Sequence, residues 1–225
     1  GLINLYGDIS RSGAVFNGGT SSSRVNFFGS TTQDINGDFT GANSFYRLLI
    51  NNQQGINIQN DASITNRLFL TNGIINTGSN TLEIDIFAAI SPSIGKVNSY
   101  VDGNLAKTIA AAGQSFTFPV GDAGRWRPTT VNNVSTGGLT WEVEFKASGG
   151  LSDPVVDNYD FTNPAQIATI LKSEHWVISD GNVSTTGVTA TVGLSWGSES
   201  DVSSVFAERE QMEVMIWNDA LSSWD

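Results

Sequence analysis

The chain has no cysteine among its 225 residues, which excludes a disulfide framework and any thiolate metal centre. It has a single histidine, so a zinc site would lack a second imidazole ligand. Basic residues number 11 against 22 acidic ones, a formal net charge of -11. That balance repels nucleic-acid phosphates and anionic membrane surfaces, and neither is expected as a partner. No apolar run approaches the ~18 residues that mark a membrane-spanning helix, and the opening Gly-Leu-Ile-Asn-Leu-Tyr has neither the basic start nor the apolar core of a signal peptide. Membrane insertion is therefore not expected. Tryptophan is missing before Trp126, and all six tryptophans lie from there onward.

The tryptophan-free half is rich in Asn and Gly and is internally similar. Ile3-Asn4-Leu5-Tyr6-Gly7-Asp8 matches Val25-Asn26-Phe27-Phe28-Gly29-Ser30 after 22 residues, and Arg47-Leu48-Leu49-Ile50-Asn51-Asn52 matches Arg67-Leu68-Phe69-Leu70-Thr71-Asn72 after 20. Each is a short β-type run ended by residues that tolerate sharp corners. In Thr81-Leu82-Glu83-Ile84-Asp85-Ile86 the alternation sets Leu82, Ile84 and Ile86 on one face and Glu83 and Asp85 on the other. A strand-bearing repeat of about 20 residues without helical periodicity predicts a parallel β-solenoid, in which each coil buries its apolar face against the next. Asn51, Asn52, Asn72 and Asn76 are then expected at the bends. The rival reading is a run of antiparallel hairpins turning at Asn36-Gly37 and Asn72-Gly73, but hairpins do not require similarity at such intervals.

From about Gln114 the pattern changes. Thr140-Trp141-Glu142-Val143-Glu144-Phe145 alternates strictly, and so do the stretches 189–196 and 213–217. Turn signals at Ser135-Thr136-Gly137-Gly138 and Ser179-Asp180-Gly181-Asn182 separate these strands, the pattern of an antiparallel β-sandwich. The expected fold is all-β, with a solenoid-like repeat region over residues 1–105 and a sandwich-like domain over residues 106–225. Residues 114–121 are expected to cover the last coil. The acidic stretch 151–164 reads as a long loop, and 164–172 fits a short helix or a strand equally well. The chain opens without Met and stops at Ser223-Trp224-Asp225, which reads as a piece of a longer protein, with the second domain continuing beyond it.

Several patterns invite chemistry. Gly193-Leu194-Ser195-Trp196-Gly197 matches G-x-S-x-G, but a nucleophile elbow needs a strand-turn-helix and a later histidine, whereas His175 precedes Ser195. Glu142 with Glu144, and Glu83 with Asp85, are spaced about 7 Å apart on one strand face, within the span that glycosidases use. Alternation alone produces such pairs on any solvent-facing strand, so no catalytic residue is assigned. Asp34-Ile35-Asn36-Gly37-Asp38 resembles the start of a calcium loop, but Phe39 and Phe45 stand where an EF-hand has Gly and Glu. Asp34, Asn36 and Asp38 remain calcium candidates of a looser kind, as do Asp153, Asp157 and Asp160. Flat aromatic faces stack on sugar rings. Trp141 and Trp196 fall on inward phases, which leaves Trp126, in a Gly-Arg-Trp-Arg-Pro loop, and Trp217, out of phase with Ile216, as the ligand-binding candidates.

The order of these elements resembles a family. Asn/Gly coils lead through Tyr100-Val101-Asp102-Gly103 to Phe118-Pro119-Val120-Gly121 and Arg127-Pro128. Glu174-His175-Trp176, the strand ending in Trp196, and Ile216-Trp217-Asn218 with Trp224 follow. This is similar to the large repeat proteins that gliding bacteria export to the cell surface through the type IX secretion system. The resemblance implies an extracellular, surface-attached, noncatalytic structural or adhesive module. It also implies the secretion machinery, other surface proteins or polysaccharide as partners; no cofactor is expected apart from the calcium that the acidic residues above could hold. The alternative is a carbohydrate-binding module beside a polysaccharide-degrading enzyme.

Overall fold

The apolar alternation of the first half carries over into stacked strands in the computed structural model. The structure describes residues 1–13, 15–16, 18–19, 23–148, 174–180, 187–198, 200, 217–218 and 223–224, with only the backbone of the last four. The first coil holds β1 (Leu2–Leu5) and β2 (Ile9–Ser10), and the second holds β3 (Arg24–Phe27) and β4 (Gln33–Asn36). Next come β5 (Phe45–Asn51), β6 (Ile56–Ile58), β7 (Ala62–Asn72), β8 (Ile75–Ile84), β9 (Ala89–Ser91) and β10 (Val101–Ile109). Their pairings are all parallel, in a solenoid of about 5 turns. The hairpin reading is thereby overturned: Asn36-Gly37 and Asn72-Gly73 turn corners of a coil. Among the described residues the one helix is a 3-10 turn at Gly41–Asn43.

Three ladders run along the solenoid. In the first, Val25, Leu48, Leu68 and Ile90 stack in register, as do Phe27, Ile50 and Leu70. In the second, Gln33, Ile56, Ile75, Val101 and Val120 stack. The third brings together Phe39, Ala62, Leu82, Leu105 and Val143, and beside them Phe45, Ile64, Ile84 and Lys107. Most of these side chains are fully buried, and at the β spacing of about 4.8 Å each aliphatic side chain has neighbours above and below. A single coil cannot exclude water from Leu48; the stack can.

Two polar residues enter these apolar stacks. Gln33 is fully buried; its Nε2 donates to the carbonyls of Leu5 and Gly7, and its Oε1 accepts from the Gly29 N–H and from Asn52 Nδ2. Asn52, buried at the corner where the sequence predicts it, also donates to the Thr31 carbonyl, so the corner is internally satisfied, as a buried polar group requires. Lys107 stands over Ile84, and its ammonium donates to the carbonyls of Asp85, Ile86 and Ala88.

Past β10 the chain makes β11 (Phe116–Phe118), β12 (Val120–Asp122), β13 (Arg125–Trp126), β14 (Thr129–Asn132) and β15 (Leu139–Lys146). It continues with β16 (His175–Ser179), β17 (Thr191–Gly193), β18 (Trp217–Asn218) and β19 (Ser223–Trp224). β12 adds one more parallel rung to β10, through Val101 and Val120, and β13 folds back on it. β15 runs antiparallel along β10, from Leu105 against Val143 to Ile109 against Leu139, and its inward residues Trp141, Val143 and Phe145 are buried as the alternation predicts. β11, β14 and β17 form a separate antiparallel sheet.

The stretch 189–196 is not one long strand: β17 ends at Gly193, and Trp196, expected in the core, is 45% exposed. Residues 1–145 with 176–195 make one compact unit, and residues 146–175 with 196–225 make another. Within the second, Ser200 Oγ donates to the Glu174 carboxylate and β18 pairs with β19. The loop expected at 151–164, the segment 164–172, Asp153, Asp157, Asp160, and residues 213–216 lie outside the described residues.

Candidate functional site

The Tyr-Val-Asp-Gly link has a structural explanation. Tyr100 is fully buried, and burial, followed by the nearby Asp102 charge, pushes its hydroxyl up to about 12. Val101 joins the second ladder, and the register shifts between Asp102 and Asn104. Gly103 occupies that corner with φ +111°, where a Cβ would sit 2.1 Å from Thr77 Oγ1, so the corner admits only glycine.

Two of the calcium candidates, Asp34 and Asp38, accept hydrogen bonds from neighbouring side chains. Asp34 lies on the outward face of β4, and its Oδ1 accepts from Asn57 Nδ2 at 2.9 Å and from Gln59 Nε2 at 3.4 Å. Asn36 is exposed on the same strand face. Asp38, beyond the Gly37 corner, takes the Thr40 hydroxyl and N–H on Oδ1 and faces Arg11 at 3.7 Å. The Thr40 hydroxyl first, then its N–H, with a smaller contribution from Arg11, hold the Asp38 carboxyl below the usual carboxylate range. Beside Asn57, Asn76 and Asp102 of this ladder lies an open groove of about 230 Å3, lined also by Gln54 and Gly55.

Trp126 is half-buried on β13, and its indole N–H donates to the Ile94 carbonyl at 2.8 Å. The backbone of Trp217 pairs with Trp224 in β18 and β19; its side chain lies outside the described residues. Ser195 falls after β17 rather than within a strand, and its hydroxyl is buried without a hydrogen-bond partner. His175 opens β16. Glu142 and Glu144 share the outer face of β15, and Glu83 points outward from β8.

The sequence reading did not single out Lys107 or the outer face of the first ladder. Burial lowers the Lys107 pKa to about 8, against the raising effect of the Asp85 and Glu83 carboxylates. On the first ladder Arg47 pairs in register with Arg67, and Arg24 occupies the same phase one coil earlier. The guanidiniums of Arg24 and Arg67 lie 5.4 and 5.8 Å from the centre of the Phe69 ring. Arg47 stands over Tyr46 at 5.4 Å and bonds Asn66 Oδ1 at 2.7 Å. The signal was present in Arg-Val-Asn-Phe, Arg-Leu-Leu-Ile and Arg-Leu-Phe-Leu, because equivalent positions of a solenoid repeat stack on one line.

No protein-family model, curated protein or solved structure matches the chain. Among the described residues no helix is long and apolar enough to cross a membrane.

Proposed function

We propose that the chain is a noncatalytic structural and adhesive module of a secreted bacterial cell-surface protein. In this reading the solenoid supplies length, and the second half folds as a β-sandwich that covers the last coil and presents a binding face. The observation that carries it is the unbroken parallel ladder of about 5 turns, which gives stiffness through main-chain hydrogen bonds without committing side chains to a site. The strict alternation of β15 and the antiparallel sheet of β11, β14 and β17 support the sandwich. Export by type IX secretion, and surface proteins or polysaccharide as partners, rest on the Tyr100-to-Pro128 resemblance. Antibodies raised against the purified chain should label intact, unpermeabilised cells of the source organism. Labelling only after permeabilisation would overturn the reading.

A second reading, a carbohydrate-binding module beside an enzyme, is favoured by Trp126, which is partly exposed while its N–H is fixed by Ile94. It predicts neutral-glycan binding that Trp126→Ala abolishes; a glycan array blank for the unmodified chain counts against it.

A further inference from the structure

The outer positions of the first ladder read Leu2 and Asn4, Arg24 and Asn26, Arg47 and Leu49, Arg67 and Phe69, Ala89 and Ser91 along successive coils. None is acidic, in a chain with twice as many acidic as basic residues. Random placement on such a surface would surround each arginine with carboxylates. Instead, three of the 11 basic residues share one line, and the close ion pair of Arg11 with Asp38 lies on a different ladder.

The local geometry sharpens this. Arg24 and Phe69 are two coils apart, yet the Arg24 guanidinium reaches the ring that Arg67 also approaches. Two like charges are thus gathered at one aromatic ring. Arg24 Nε is buried from water without a hydrogen-bond partner, so an anion from solvent meets Arg24 at its terminal guanidinium nitrogens. An anion beside Phe69 relieves the repulsion and accepts from the guanidinium forks.

We propose that this face, centred on Arg24, Phe69 and Arg67 with Arg47 beside them, binds an acidic polysaccharide. The backbone positions of Arg24, Arg47 and Arg67 rise by the strand spacing of about 4.8 Å, and two of their guanidiniums converge on Phe69, so the acidic groups of one glycan chain meet cations drawn from three coils. Phe69 and Leu49 supply apolar surface for ring faces. Uronate carboxylates and sulfate esters both suit guanidinium pairing. The net charge of -11 opposes a polynucleotide and an acidic glycan alike, so binding of either is local to this face, and poly(dT) serves as the competing polyanion. The proposal gives the adhesive module a ligand and rests on that reading only for the glycan being extracellular.

The test is binding of the full chain to immobilised polygalacturonate, sulfated dextran, unmodified dextran and poly(dT). Retention on one or both acidic glycans is expected, weakening as salt rises, with none on dextran. Arg24→Gln and Arg67→Gln should each weaken binding roughly tenfold or more, as loss of a charge-assisted hydrogen bond implies, while Arg11→Gln should leave it unchanged. Because Arg67 is exposed and Arg24 and Arg47 are half-buried, circular dichroism and urea midpoints should confirm that the variants fold. Preference for polygalacturonate over sulfated dextran, or the reverse, identifies the anion. No binding, equal binding to neutral dextran, preference for poly(dT), or wild-type affinity in Arg24→Gln and Arg67→Gln would each overturn the proposal. None of these results alters the surface-labelling outcome, so the two readings fail separately.

Discussion

Lys107 should make the solenoid more stable in mild alkali. Its position in the third ladder belongs to a buried side chain, over Ile84, and only 6% of the residue is exposed. Burial lowers its pKa from 10.5 to about 8, although three carbonyls and the Phe116 ring at 5.5 Å partly compensate the ammonium. Because the folded pKa lies below the unfolded one, the unfolded chain binds more protons between pH 8 and 10.5. Stability must therefore rise with pH across that window. The contribution is complete above 10.5 and is lost as pH falls through about 8. The depression corresponds to ~3 kcal/mol. Tyr100 acts with the opposite sign at higher pH: its pKa is raised from 10.0 to about 12, so its stabilising contribution is present below 10 and lost as pH rises through 12. Urea unfolding of the unmodified chain and of Lys107→Met, followed from pH 7 to 10.5, separates the two, because both proteins carry Tyr100. The unmodified chain should gain ~3 kcal/mol relative to the variant across the window. Parallel pH profiles for the two proteins would refute the reasoning.

Two further perturbations probe the stack itself. Leu68→Ala removes a fully buried side chain that has Leu48 on one side and Ile90 on the other, and should cost about 2–5 kcal/mol of unfolding free energy in urea titration. Gly73→Ala, at φ +104° with a Cβ falling 1.8 Å from the Asn52 carbonyl oxygen, should cost at least ~2 kcal/mol. Gly78→Ala, at φ +57° with nothing within 4 Å, should cost only about 1–2 kcal/mol for the left-handed backbone. Equal thermal shifts in these two glycine variants would show that the corner contact with Asn52 does not exist.

The repeat was legible because the same backbone environment recurs. The offsets of 22 and 20 residues place Ile3 on Val25 and Arg47 on Arg67, as the strands pair. At the corner the register shifts, so that Asn51 rather than Asn52 pairs with Asn72, and Asn52 reaches Asn72 through a hydrogen bond from its N–H to the Asn72 carbonyl. What alternation could not reveal is the identity of the neighbour in the next coil. Gln33 and Lys107 occupy inward phases, where polarity argues for the outside, and only the carbonyls waiting there explain them. Parity puts Trp196 inward, but parity has meaning only while a strand is paired, and β17 stops at Gly193. The change near residue 105 was visible as a change of pattern, yet β10 runs through that position and receives parallel β12 on one part and antiparallel β15 on another. Pairings made across such sequence distances leave no local periodicity to read.

That divided arrangement makes the termination of the ladder testable. An uncovered last strand presents a row of unpaired N–H and C=O groups, a template for edge-to-edge association. β12 covers β10 at Val101 and Asp102, and β15 covers it from Leu105 to Ile109, so each cover protects a different part of one strand. Deleting residues 114–121 removes β11 and most of β12 while leaving β15 in the chain. Val143→Pro instead puts a residue without an N–H opposite Leu105. If covering the edge is what these strands do, the deletion should yield oligomers that grow with protein concentration, seen by light scattering after size exclusion. Combining it with Val143→Pro should bring assembly to lower concentration than either change alone. A deletion variant that remains monomeric at every concentration, with or without Val143→Pro, would mean that the coil edge is not aggregation-prone. The role of β12 and β15 would then be limited to packing over Val101 and Leu105.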